Sequence, residues 1–189
     1  MQPSKQLLTI LDALATPDRA IFAVADLRSA LPHLSFAQLT VVLSRMVTRG
    51  DLGRICRGIY FYSRAKPEPH VVLPRTAARL RAGHLCYLSL ESVLSQHGII
   101  SQLPLDRLTL MTSGRSGSVD CGAWGVIEFT HTKRGAADFQ GELTYDADRH
   151  LWIASPQLAW RDLCFVGRNL DLVDHQVLKE VTEPDPKLL

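Results

Sequence analysis

The sequence lacks the common marks of a metal site, a disulfide scaffold and a membrane anchor. It has no C-x-x-C pair, and Cys56, Cys86, Cys121 and Cys164 stand 30, 35 and 43 residues apart. That spacing supports neither a zinc site nor a disulfide framework, so the cysteines are expected to be reduced residues in or near the core. None of the seven histidines falls in an H-x-x-x-H pair. No apolar run approaches the roughly 18–20 residues of a membrane helix. The N-terminal residues lead into an amphipathic pattern, not the apolar block of a signal peptide. A cytoplasmic protein without metal or cofactor is the expectation. There is no low-complexity tract, no internal repeat, no P-loop and no G-x-S-x-G elbow.

What is present is an uneven charge. The net charge of +2 over 189 residues conceals 12 Lys and Arg against 5 Asp and Glu in residues 1–82, and 9 against 14 in residues 83–189. A basic half joined to an acidic half points to a polyanion as partner of the first. The proline-punctuated stretch Arg64-Ala-Lys-Pro-Glu-Pro-His70 cannot continue a strand ladder and marks the boundary. The predicted layout is a winged helix-turn-helix over 1–64, a linker and basic helix over 65–84, and a C-terminal domain over 85–189. The fold class is α+β, with the second domain a mixed α/β one.

In the first module, apolar residues at 7, 8, 10, 11, 14 and 15 predict a helix over Lys5–Ala15, capped by Ser4 and ended by Thr16-Pro17. Ile21–Val24 reads as a brief strand, and Asp26 stands near the start of a second helix that Pro32 stops. Ser35 is a good N-cap for a third helix, with Phe36, Leu39, Leu43, Met46 and Val47 as its buried stripe and Gly50 at its end. Opposite the stripe lie Ala37, Val41, Ser44 and Thr48, flanked by Gln38 and Arg45, a face small enough to enter a major groove. Leu52–Tyr62 reads as a hairpin turning at Arg57-Gly58, with Arg54 and Arg57 at its tip. This order is that of a winged helix-turn-helix. The candidate DNA-binding residues are Ser35, Gln38, Val41, Ser44, Arg45, Thr48, Arg49, Arg54 and Arg57, with Arg64 adding to the cation count.

Arg75, Arg79 and Arg81 form a second basic cluster, read as a solvated helix face or as a linker helix touching DNA backbone. Beyond it, a helix over Ser89–His97 closed by Gly98, strands over Arg107–Thr112, Val126–His131 and Leu151–Ala154, and a helix opened by Ser155-Pro156 alternate. The loop Ser113–Ser118 reads as a strand-to-strand connection, since it has no phosphate-binding lysine. Asp120, Glu128 and Lys133 resemble nuclease residues faintly, but Thr130 stands where the nuclease lysine falls. No catalytic residue is assigned. A DNA-directed enzyme with a nuclease-like second domain is the alternative reading.

Three stretches resemble the AbiEi family of antitoxins from bacterial type IV toxin–antitoxin systems. They are Leu43–Tyr60, Tyr87–Gly98, and Thr112–Ser116 together with Ile153–Ala159. The resemblance implies an N-terminal winged helix that represses the shared operon through inverted repeats in its promoter. It also implies a C-terminal domain that counteracts a nucleotidyltransferase-like toxin of the AbiEii type. By the same resemblance Arg45, Arg49, Arg54 and Arg57 map to the DNA face, while no antitoxin residue can be transferred.

Overall fold

Residues 2–101 and 106–183 are described in a computed structural model. Helices and sheets are mixed throughout, in keeping with the α+β class, and the chain forms two compact units: Met1–Leu80 with Cys121–Trp124, and Arg81–Asp120 with Gly125–Leu189.

The first unit contains α1 (Pro3–Leu14), β1 (Ile21–Ala23), α2 (Val24–Ala30), α3 (Phe36–Thr48), β2 (Leu52–Cys56), β3 (Ile59–Tyr62) and α4 (Pro69–Leu80). Helix α1 begins one residue before Ser4: Pro3, with its fixed φ, takes the first turn and Gln2 the cap position. Asp26 does set the start of α2, its carboxylate accepting the Ala23 N–H at 2.8 Å. The three helices bury one stripe each, so that Leu7, Leu11, Leu27, Leu31, Leu39, Leu43 and Met46 form a common core with Leu52, Tyr60 and Tyr62 of the sheet. That sheet runs β1-β3-β2 and is antiparallel, with Ile21 opposite Phe61 and Arg54 opposite Tyr60. The β2–β3 turn falls at Arg57-Gly58, where Gly58 supplies φ +83°. Gly53 leaves room for the Phe61 ring, whose nearest atoms lie 2.0 Å from where a Cβ would stand. Phe61 in turn meets Trp124 edge-on, with ring centroids 6.0 Å apart.

Residues 65–84 are not a linker. Helix α4 buries Val71, Val72 and Ala77 and packs on β1 and β3, which makes it part of the first unit through Leu80. The sequence concealed this because the helix opens on Pro69, two residues after Pro67, and carries an internal proline, Pro74.

The second unit contains β4 (Cys86–Leu88), α5 (Leu90–Gln96), β5 (Arg107–Thr112), β6 (Gly117–Asp120), β7 (Val126–His131), β8 (Leu143–Asp146), β9 (Leu151–Ala154), α6 (Pro156–Val166) and α7 (His175–Thr182). Its sheet runs β6-β7-β5-β4-β9-β8, with β5/β7 and β4/β9 parallel and the other pairs antiparallel. Helix α5 packs against β5 and α6, and α7 against α6. Ser155 caps α6 by accepting the Leu158 N–H at 3.1 Å, and Gly167 ends it in the left-handed region at φ +72°. Gly125 has no substitute: at φ +110° an added Cβ would stand 2.1 Å from the Asp106 carbonyl oxygen.

Candidate nucleic-acid interface

Helix α3 starts at a reciprocal cap. The Ser35 hydroxyl accepts the Gln38 N–H at 3.3 Å, and the Gln38 side-chain oxygen accepts the Ser35 N–H at 2.9 Å. From there Leu39, Leu43 and Met46 point into the core, and all nine candidate residues, from Ser35 to Arg57, are exposed. Phe36 departs from the expected stripe. It is 59% exposed, because at about 100° per residue it lies beyond Leu43 on the side facing the hairpin.

The flank of α3 and the β2–β3 hairpin enclose an open cleft of about 650 Å³. Four candidate residues meet there: Ser44 and Thr48 from the helix, Arg54 and Arg57 from the hairpin. Val24, Val47, Tyr60 and Phe36 give the same cleft an apolar surface. Ala37 and Val41 continue the outward face next to it, and Val41 is 49% exposed. By helical geometry Gln38, Arg45 and Arg49 lie on the flank away from the hairpin. The nine residues thus share a helix and a hairpin but not one pocket.

The cations differ in how free they are. Arg49 pairs with Asp51 at 3.1 Å, and Arg64 pairs with Asp12 at 3.1 Å, so Asp51 is not the only acid opposing the cluster. Arg45, Arg54 and Arg57 make no ion pair with any described residue, although the Arg54 Nε donates to the Cys56 carbonyl at 3.3 Å. Asp12 also accepts from the Tyr62 hydroxyl. Burial and that hydrogen bond push the Tyr62 hydroxyl up to about 12. Beside the hairpin turn the Cys56 thiol is held below its usual range by a hydrogen bond with Cys121, with Arg54 adding to the effect against its burial.

The second basic cluster is engaged by other groups of the chain, and only Arg75 of it is buried. Arg75, only 5% exposed, donates to the Pro17 carbonyl at 3.0 Å and pairs with Asp18 at 3.2 Å. Arg79 pairs with Asp26 at 2.9 Å. Arg81 lies over the Phe129 ring at 3.9 Å and donates to the Arg115 carbonyl at 3.0 Å. These contacts hold α4 and the start of the second unit in place, which is a structural role.

Two buried polar networks organise the second unit, and neither was visible in the sequence. Asp162 is fully buried and accepts from the Ser89 hydroxyl at 2.7 Å, the Tyr87 hydroxyl at 3.1 Å and the Arg134 guanidinium. Leu90, next to Ser89, is also fully buried and sits at φ +56°, a strained conformation for a branched side chain. Glu91, buried, takes both Arg168 Nε at 2.7 Å and Asn169 Nδ2 at 2.8 Å. Arg168 also bonds Glu128, which receives Arg107 at 2.8 Å. Burial works to raise the Glu128 pKa, but the hydrogen bonds and charges of Arg168 and Arg107 outweigh it and hold the carboxyl below its usual range. Glu128, one of the nuclease-like residues, is therefore an ionised carboxylate paired with two arginines. The Ser113–Ser118 loop is likewise satisfied internally and is shorter than its sequence suggests, since β6 begins at Gly117. Thr112 accepts the Gly114 N–H at 3.1 Å, Ser116 accepts the His131 N–H at 2.8 Å, and the Gly114 carbonyl bonds the His131 ring at 2.8 Å.

Among the described residues no helix is long and apolar enough to cross a membrane. No family model and no curated protein matches the chain. Among solved structures, the crystal structure of the RV2827C protein from Mycobacterium tuberculosis is similar over 97% of this chain and 73% of its own, with a TM-score of 0.53 and 15% sequence identity. At that identity the likeness is one of fold: this chain shares its mixed helix-and-sheet architecture with the mycobacterial protein.

Proposed function

We propose that the first unit is a winged helix-turn-helix that binds double-stranded promoter DNA, and that the protein is a transcriptional autorepressor and antitoxin acting by binding, not by catalysis. The observation that carries the DNA-binding half is the convergence of Ser44 and Thr48 of α3 with Arg54 and Arg57 of the hairpin on one cleft, beside the exposed face of the helix. In this reading α3 is the recognition helix lying in the major groove and the β2–β3 hairpin is the wing against the backbone. Arg54 and Arg57 supply the charge that neutralises phosphates. Small residues at the outward face, Ala37, Ser44 and Thr48, let the helix approach base edges closely.

The antitoxin half rests on the resemblance of Tyr87–Gly98 and Ile153–Ala159 to AbiEi antitoxins. The partner is then a nucleotidyltransferase-like toxin, and the protein works in the cytoplasm beside it. The engagement of Glu128 by two arginines weighs against the nuclease alternative. The test is twofold. Purified full-length protein should shift its own promoter fragment in preference to scrambled duplex, and it should restore growth of cells expressing the toxin encoded next to it. Equal binding to both duplexes removes the repressor reading, and absence of rescue removes the antitoxin reading.

A further inference from the structure

We propose that α3 reads DNA sequence chiefly through the 5-methyl groups of thymine, which pack against Val41 and Ala37, with Arg45 as its main hydrogen-bonding reader; this rests on the DNA-binding reading above. The outward face of α3 carries several polar residues, but two of their hydroxyl donors and the Gln38 acceptor are already in use. The Thr40 hydroxyl donates to the Phe36 carbonyl at 2.9 Å and the Thr48 hydroxyl to the Ser44 carbonyl at 3.1 Å. The Gln38 oxygen, which a glutamine needs for a bidentate contact with adenine, accepts the Ser35 N–H at 2.9 Å. Val41 stands in the middle of this face, about half exposed, one turn after Ala37.

An apolar strip on a helix invites a protein partner as well as DNA. Its border decides between them: Arg45 on one flank and Arg54 and Arg57 on the other make no ion pair with a described residue, and all three suit a polyanion. Within a duplex, the group complementary to an apolar side chain in the major groove is the thymine methyl.

Full-length protein is used to select its preferred duplex from a random library, and that duplex is resynthesised with deoxyuridine replacing thymidine one position at a time. Removing a contacted methyl should weaken binding about 4-fold, the equivalent of one unburied methyl group. Val41→Ala, at an exposed position, should weaken binding to the thymine duplex and lose most of the uracil effect, whereas Arg45→Ala should keep it. A selected duplex bound equally well with uracil at every position overturns the thymine-methyl proposal and leaves DNA binding intact. Failure to select any duplex overturns the DNA-binding reading itself, and this proposal with it.

Discussion

Ser35 and Gln38 hold each other at the head of α3, each side chain accepting the other's backbone N–H, at 3.3 Å and 2.9 Å. This relationship changes what Gln38 does. A residue that the helical wheel offers as a base reader serves the helix instead, satisfying a donor that would otherwise be orphaned. Gln38→Ala should therefore lower stability by about 1 kcal/mol, measured by urea unfolding, and leave sequence preference nearly unchanged. Gln38→Glu keeps the acceptor and the stability, but places a negative charge near the proposed DNA, so its affinity should fall across all duplexes.

The free and committed arginines predict the salt response. With Arg54 and Arg57 neutralising phosphates, log K should fall with log[salt] at a slope of about −2 for each bound copy. Arg57→Ala should flatten that slope by about 1 and weaken promoter and scrambled duplexes alike. Arg49→Ala should change it less, because Asp51 competes for that guanidinium at 3.1 Å. A flat salt dependence for the wild-type protein contradicts phosphate neutralisation altogether.

Helix α4 belongs to the first unit, so the limits of a foldable fragment move. Cutting after Arg64 removes Val71 and Val72, both buried. Their burial contributes about 3–6 kcal/mol, a large part of the stability of a small domain. A fragment of residues 1–64 should unfold at much lower urea than one of residues 1–82. Circular dichroism melts of the two fragments check this, and equal midpoints would return α4 to the role of a linker.

Glu128 makes stability depend on acid pH. Its folded pKa is depressed, so its contribution is fully present above the ordinary glutamate value of about 4.3 and is lost as pH falls through the lower folded value. Glu128→Gln should reduce the slope of unfolding free energy against pH below that value, while leaving the slope near pH 7 unchanged. Urea titrations at a series of pH values measure it, and an unaltered acid slope would mean that the Arg107 and Arg168 contacts do not hold in solution.

Local chemistry was legible wherever one element's own residues settle it. The stripe of Leu39, Leu43 and Met46, the Ser35 and Ser155 caps, the Arg57-Gly58 turn and the exposure of Val41 and Ser44 all follow from helical period and turn preferences. Even the Ser35–Gln38 box is written in the S-x-x-Q spacing, although the wheel drew Gln38 toward another role. The expected burial of Phe36 failed because the first turn of a helix has less to pack against than its middle, and the facing hairpin left an open cleft there.

Tertiary structure alone decided which charges are free. Arg75 and Asp18, 57 residues apart, and Glu91 and Arg168, 77 apart, find each other only when helices and strands from distant parts of the chain pack together. Asp162 meets Tyr87 and Ser89 in the same way, across 75 and 73 residues. No periodicity records such pairings, because a helical or strand pattern specifies which face is apolar and says nothing about which partner that face will meet. The sequence by itself determined a basic first half, a small exposed helix face and a tight hairpin. Packing determined that Arg45, Arg54 and Arg57 remain beside that face without an ion pair to any described residue, while Arg49 and Arg64 pair with acids at the surface and Arg75 is buried.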